Sequence, residues 1–342
     1  MSFDPSIGTL VGWLPAATAL AASAAGTRVV LSWLVRRQIL DHPNERSSHS
    51  RPTPRGGGLA VTPAVLAAWL VAAVLGASLG GWVWGAVAAA GVLLAASWLD
   101  DRFTLPAGPR FLAHAVAVAA LLALLPAGAL VFQGWLPPWA DRVVTALGWL
   151  WFVNLYNFMD GIDGITGVET ASLGLGIALV AALSGAPSAL VPLALACAAA
   201  GLGFLMWNWH PARIFLGDSG SVPLGLLLGG LLVQLAVAGH LAAAVILPAY
   251  YLADATITLG KRAARGEKVW QAHRQHFYQR AVQGGKRHDQ VVKAIAAGNL
   301  LLVGCAVLAA MGHSVLGLGL AVVVVAGLLA LLQAWSRGGG KS

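Results

Sequence analysis

Charge is scarce in this chain. Of its 342 residues, 10% are Asp, Glu, Lys or Arg, where a soluble domain carries roughly 25%. So little charge excludes a water-soluble globular protein, and a mean hydropathy of +0.77 puts the chain among multi-pass membrane proteins. Cysteine is nearly absent. The two present, Cys197 and Cys305, sit in apolar runs and read as small core residues, which excludes a disulfide scaffold. No Cys/His quartet occurs at zinc-ligand spacing, so a structural zinc site is excluded as well. The sequence has no recognisable soluble domain, heptad repeat or low-complexity tract. Nor does it open like a signal peptide: Asp4 replaces the basic stretch, and Arg28 falls at the far end of the apolar run. An uncleaved first span with its N-terminus outside is the expectation.

What the chain does have is apolar sequence in lengths that suit a bilayer. Runs near 7–33, 57–79, 82–99, 111–128, 143–159, 168–184, 188–207, 219–238, 241–260, 291–311 and 314–335 predict about eleven spans of roughly 20 residues each. Their Gly and Ala content suits close helix packing in lipid. The expected fold is an all-α integral membrane protein: one polytopic domain over 1–335 and a short cytoplasmic tail at 336–342. With the N-terminus outside and eleven crossings, Arg142 is the single Lys or Arg of 21 in an outside segment, as the positive-inside rule requires. The C-terminus is then cytoplasmic, and the formal charge of +8 describes a basic cytoplasmic face. Such a face attracts anionic lipid heads and phosphorylated substrates. Nucleic acid is not an expected partner, because the basic residues are split among short loops without a recognisable module.

The 13 acidic residues are not scattered. Asp100, Asp101, Asp160, Asp163, Glu169, Asp218 and Asp254 lie at or near span ends, all on the inside face of that topology. Carboxylates at membrane depth are costly, which marks them as candidates for function; solvation of a helix end is the plain alternative for any one of them. The densest cluster is NLYNFMDGIDG, Asn154 to Gly164. Asn157 to Asp160 and Asp160 to Asp163 are i, i+3 pairs that would share a helix face, with Gly161 and Gly164 ending the helix. Carboxylates with carboxamides are hard oxygen ligands, suited to Mg²⁺ with Mn²⁺ as a substitute.

Other motifs gather on the same face. Residues 41–58, DHPNERSSHSRPTPRGGG, bring Arg46, His49 and Arg55 next to glycines at a span start, a composition that can build a pocket for phosphate oxygens. Asp100 and Asp101 are adjacent, so on a helix they point in different directions and can take separate roles, one near a metal and one as base or orienter. Arg110 opens the next span. Asp218 precedes Ser219, Gly220 and Ser221 at a helix N-terminus, where free N–H groups and the dipole suit an anion or its metal; an ordinary cap would use the same residues. In the loop 261–287, His273 and His276 are i, i+3 partners among Arg274, Arg280 and other bases, a set suited to metal, proton or phosphate chemistry. His114, His240 and His313 are lone and read as packing residues.

Five of these pieces, PNERSSHSRPTPRGGG, Asp100-Asp101, NLYNFMDGIDG, FLGDSGS and HRQHFYQR, together resemble the polyprenyl-phosphate N-acetylhexosamine-1-phosphate transferases of glycosyltransferase family 4. The match runs from Asp41 to Arg280 in the family's order. The resemblance implies transfer of a sugar phosphate from a UDP-sugar to a polyprenyl phosphate with release of UMP, at a bacterial-type plasma membrane. It implies Mg²⁺ at Asn157 and Asp218. Catalytic work would fall to Asp100 and Asp101, with His273 and His276 near the diphosphate and sugar. A nucleotide site is implied at Asp160, Asp163, Asn208 and Phe215. Thr53 matches the family's first-loop motif, and Arg46, His49, Arg55, Arg110, Asn154, Arg274 and Arg280 complete the expected substrate contacts. A second copy of the chain is an admissible partner.

The phospho-MurNAc-pentapeptide branch of that family carries consecutive histidines in the last loop. Here Arg274 and Gln275 separate His273 from His276. The pattern is similar to the branch that starts O-antigen and other surface polysaccharides, including lipopolysaccharide. Three other classes share the composition. A transporter of an anionic substrate would place ionisable residues near the midplane and show paired repeats. An isoprenoid-transferring enzyme would show two aspartate-rich motifs, and a lipid-binding scaffold would not need so many oxygen ligands.

Overall fold

The computed structural model describes residues 5–43, 48, 51–77, 79–103, 106–269, 271 and 273–338. Its helices are α1 (Pro5–Arg36), α2 (Gly58–Val74), α3 (Gly81–Phe103), α4 (Ala107–Ala123), α5 (Pro138–Phe158), α6 (Ile165–Ser184), α7 (Leu190–Asn208), α8 (Asp218–Leu235), α9 (Leu241–Ile246), α10 (Ala249–Ala264), α11 (Phe277–Gln283), α12 (His288–Ala310) and α13 (Ser314–Ser336). The all-α expectation needs one small amendment. Strands β1 (Leu40–Asp41) and β2 (Thr53–Pro54) form an antiparallel ribbon, with Leu40 opposite Pro54 and Asp41 opposite Thr53.

Each of the eleven expected spans coincides with helix, but among the described residues seven stretches are long and apolar enough to cross a membrane. Helices α2 and α4 are 17 residues each, about 26 Å at 1.5 Å per residue, short of a hydrocarbon core of roughly 30 Å. The run expected at 241–260 is broken. A π-helical turn, Ala236–His240, follows α8 and is interrupted at Gly239, whose φ is 95°. After α9, Pro248 has no N–H to continue the ladder. The chain is thus a multi-pass membrane protein.

Helix α8 is the buried centre, with every residue from Asp218 to Leu232 buried. It packs against α3 and α5, while α7 lies between α1 and α6 and α12 lies against α6 and α13. Two of the large buried rings are tied to the backbone: the Trp149 indole N–H donates to the Leu226 carbonyl at 3.1 Å and that of Trp69 to Leu193 at 3.0 Å. At the far end of α5, buried Asp141 accepts the backbone N–H groups of Val131 (3.2 Å) and Phe132 (2.8 Å) and pins the loop that precedes the helix.

The start of α5 follows from Pro138 at its first position, where a missing N–H costs nothing. Its end falls at Phe158, and α6 resumes after Gly164 at φ 80°, a left-handed conformation that favours glycine. Asp160 and Asp163 therefore stand in a loop, and the expected shared helix face does not form.

Candidate active site

Four segments meet at the N-terminal end of α8. The first loop is stitched to the segment before it: the Phe215 N–H donates to the Pro54 carbonyl (2.8 Å), Gly56 and Gly57 N–H groups donate to the Phe215 carbonyl (3.1 and 2.9 Å), and Gly58 N–H donates to Leu216 (2.8 Å). These bonds carry Arg55 into the site. From the end of α3, Asp101 accepts the N–H groups of Asp218 (3.2 Å) and Ser219 (3.1 Å). The N–H groups expected to be free for an outside anion are already taken, because Asp101 is the anion that meets the helix dipole.

Asp218 is the hub of the charges. Arg55 Nη2 lies 2.6 Å from its Oδ1, and Arg55 Nε lies 3.1 Å from Asp101. Arg110 Nη1 lies 2.7 Å from Asp100 and 3.5 Å from Asp218 Oδ2. The Asn157 amide donates to Asp218 Oδ2 at 3.3 Å, and its own oxygen accepts from the Ser221 hydroxyl at 3.2 Å. Asp160 accepts the Thr166 hydroxyl at 2.6 Å. Burial pushes Asp160 up to about 6; Thr166 and Arg55 oppose the shift, while Asp218 and Asp101 add to it. Four carboxylates (Asp100, Asp101, Asp160, Asp218) thus face two guanidinium groups, Arg55 and Arg110. Among the described residues of this set the surplus is two negative charges among oxygen donors, and a divalent hard cation fits it.

The adjacent aspartates diverge, as expected of neighbours on a helix. Asp100 lines a cavity of about 830 Å³ that Asp101 does not line. The walls are apolar: Leu93 and Leu99 from α3, Phe111 from α4, Leu147 and Trp151 from α5, and Leu259 from α10. Its polar end consists of Asp100, Arg110, Asn157 and Asp218, with Asn154 and His114 further along. Asn154 spends its amide N–H on the Leu150 carbonyl at 2.7 Å.

Asp163 turns away from this cluster. Its Oδ2 lies 2.6 Å from His210 Nδ1 and 3.2 Å from His288 Nδ1, and it accepts the Ala212 N–H at 3.2 Å. Burial works to raise Asp163, but the bonds from His288, His210 and Ala212 outweigh it and hold the carboxyl below its usual range. His288 Nε2 faces the Ser48 carbonyl at 3.1 Å, so that nitrogen carries a proton. The three side chains could hold a metal by proximity, with nitrogen donors less suited to Mg²⁺ than the Asp218 cluster. Asn208 accepts the Gly164 N–H (2.8 Å) and donates to the Ile214 carbonyl (2.9 Å); both ends of its amide thereby join the 159–164 loop to the 209–217 segment.

The histidine loop approaches from another side. His273 and His276 stand before α11, not on it, yet their ring centroids are 4.8 Å apart. His276 is buried, with Nδ1 3.1 Å from Asp254. Burial, then the charges of His276 and Arg262, push His273 down to about 4, so it is neutral at pH 7. Arg274 and Arg280 are exposed. Thr53 is buried and donates to the Arg51 carbonyl at 3.1 Å. Phe215 is part-buried beside the first loop. Arg46 and His49 lie outside the described residues.

Sequence reasoning missed His210 and His288 as participants; it named Asp254 only as a span-end carboxylate and Ser221 only as part of the α8 start, without a role for either. The two histidines are joined to Asp163 across 47 and 125 residues, which no local spacing reveals.

A family model described as glycosyl transferase family 4 matches residues 83–236. That range holds Asp100, Asp101, Asn157, Asp160, Asp163, Asn208 and Asp218, but neither Arg55 nor the histidine loop. The chain is similar to the decaprenyl-phosphate N-acetylglucosaminephosphotransferase of Mycolicibacterium smegmatis, at 30% identity over 305 residues, 76% of this chain and 73% of the relative. It is also similar to a probable undecaprenyl-phosphate N-acetylglucosaminyl 1-phosphate transferase of Bacillus subtilis, at 27% identity over 282 residues, 79% of this chain and 76% of the relative. The phospho-N-acetylmuramoyl-pentapeptide-transferase of Moorella thermoacetica matches at 38% identity over 96 residues, 28% of this chain and 30% of the relative.

Proposed function

The chain belongs to glycosyl transferase family 4, and we propose that it moves an N-acetylated hexosamine 1-phosphate from a UDP-sugar to a polyprenyl phosphate, releasing UMP. The observation that carries this reading is the apolar cavity of about 830 Å³ that ends on Asp100, Arg110, Asn157 and Asp218. An isoprenoid tail lies along the apolar walls, and its phosphate meets the cluster. The tail comes from lipid and not from water, so the groove contributes alignment more than hydrophobic affinity.

The acceptor oxygen attacks the β-phosphorus of the donor, and UMP departs. A phosphate monoester has its second pKa near 6, so at neutral pH the acceptor is mostly dianionic and orientation matters more than deprotonation. Arg110 offsets its charge, and Asp100, 2.7 Å away, aims the guanidinium. Arg55 pairs with the donor diphosphate from the other side of Asp218. His273, neutral in the free protein, gains a proton as the diphosphate arrives and offsets charge there. Asn157 and Asp218 would hold Mg²⁺, with Mn²⁺ as substitute, which neutralises the diphosphate and stabilises the leaving group. Asp160, Asp163, Asn208 and Phe215 shape the nucleotide side.

The site faces the cytoplasm of a bacterial-type plasma membrane, with the N-terminus outside; the basic inside loops support that orientation. The reaction is the first membrane step of a surface polysaccharide such as O-antigen. Two observations favour this over the phospho-MurNAc-pentapeptide reaction. The histidines are not consecutive, and the relative named for that reaction matches under a third of the chain. Purified protein, undecaprenyl phosphate, Mg²⁺ and a panel of UDP-sugars that includes UDP-MurNAc-pentapeptide test the proposal through UMP. Release is expected with an N-acetylated hexosamine donor. No release with any donor refutes the reaction, and release with the MurNAc donor alone refutes the branch.

A further inference from the structure

Asp254 is fully buried on α10 and carries five donors. Its Oδ1 accepts His276 Nδ1 (3.1 Å), the Phe277 N–H (3.0 Å) and the Thr258 hydroxyl (3.2 Å). Its Oδ2 accepts the Tyr250 hydroxyl (3.1 Å) and the Tyr278 N–H (3.4 Å). Two of these donors are the first N–H groups of α11, so the carboxylate closes that helix end. A cap would need no more. The imidazole is a further partner, and Thr258 and Tyr250 hold the carboxylate itself in place.

An ionised carboxylate only accepts, so His276 Nδ1 donates and Nε2 is the nitrogen left for another partner. The same helix reaches the cavity: Thr256, Leu259, Gly260 and Ala263 line it. We propose that Asp254, on the helix that lines the acceptor groove, is a positioning residue that fixes the tautomer and orientation of His276. The proposal rests on the transfer reaction for its catalytic consequence, and on geometry alone for the tautomer.

The groups facing the imidazole are Asp254 from α10, His273 at 4.8 Å between centroids, and the Tyr278 ring stacked at 5.7 Å. Arg262 and Glu267 act on His273 from the end of α10. Asp254→Asn keeps the volume but replaces the acceptor that fixes the Nδ1 proton of His276. The turnover number falls about tenfold or more, as when a histidine loses its tautomer-fixing carboxylate, while KM for both substrates changes little. In a His276→Ala background the same substitution causes no further loss, because its effect runs through the histidine.

An active, folded Asp254→Asn variant with unchanged kcat overturns the proposal, and so do losses that multiply in the double variant. Should Asp254→Asn fail to fold, Tyr250→Phe replaces it. That change removes one of the donors that hold the carboxylate in place and leaves the imidazole contact, so kcat falls with KM little changed; an unchanged kcat is a refutation. ¹⁵N-histidine NMR of the wild-type protein reads the tautomer directly. A proton on Nδ1 of His276 is expected, and a proton on Nε2 alone overturns the inference even in a protein that releases no UMP.

Discussion

Replacing Asp160 with asparagine changes one charge and almost no volume. The amide keeps an acceptor for the Thr166 hydroxyl, 2.6 Å away. In the wild type, burial pushes this carboxyl from 3.8 to about 6, and at 1.36 kcal/mol per pKa unit that is about 3 kcal/mol. Asp160 keeps some solvent contact, so the figure is an upper limit. The sign follows from linkage: the native state binds the proton more tightly than the unfolded chain. Stability from this group is fully present below 3.8 and is lost as pH rises to about 6, after which the penalty is constant. Unfolding of the two detergent-solubilised proteins is compared between about pH 4 and pH 7.5, and the difference isolates Asp160 from every other titrating group. Equal stability is expected at the acid end, with the asparagine variant ahead by up to about 3 kcal/mol above pH 6. Mg²⁺ should narrow the gap, because a divalent cation beside the carboxylate offsets the cost of burying its charge. A variant less stable at neutral pH, or a gap that does not change across the window, refutes the electrostatic account of the cluster.

Asp218→Ala removes the carboxylate shared by Arg55, Arg110 and Asn157. UMP release should fall roughly 10²- to 10³-fold, and a wild-type rate would sink the metal assignment. Gly260 lines the cavity, and a Cβ there meets nothing within 4 Å, so Gly260→Trp fills the groove without crowding the core. KM for a long-chain polyprenyl phosphate should rise at least about tenfold, or 1.4 kcal/mol, with KM for the UDP-sugar unchanged; equal acceptor KM values count against the groove. A Cβ on Gly161 would collide with the Tyr278 hydroxyl, so Gly161→Ala should cost about 1–3 kcal/mol of stability. Tyr278→Phe should restore part of it, and a Gly161→Ala protein with wild-type thermal stability shows that the contact yields freely.

Much of the architecture was legible because bilayer spans announce themselves by length and hydropathy, without periodicity. The count was less secure: α2 and α4 are short, and the break at Gly239 and Pro248 divides a run that composition alone treats as continuous. At the site, the residue types were legible and their directions were not. Asn157, Asp160 and Asp163 look like one helical face, but α5 stops at Phe158. Asp160 then turns to Thr166, and Asp163 to His210 and His288. His273 and His276 also look helical, yet α11 starts only at Phe277, where Asp254 closes its end. The deciding partners lie on other segments, and those of Asp163 and His276 stand 22 to 125 residues away, at separations that local spacing does not encode. The α8 N-terminus is the same lesson with opposite charge: Asp101 fills the place that seemed reserved for substrate or metal.

The most direct test couples the two products of the reaction. Purified protein is given an N-acetylated UDP-hexosamine and Mg²⁺, with and without undecaprenyl phosphate, and both UMP and the lipid-linked sugar diphosphate are quantified. UMP and lipid product should appear in equal amounts, and neither should form without the acceptor. UMP released in the absence of the lipid, or lipid acceptor left unmodified with every donor, contradicts the account.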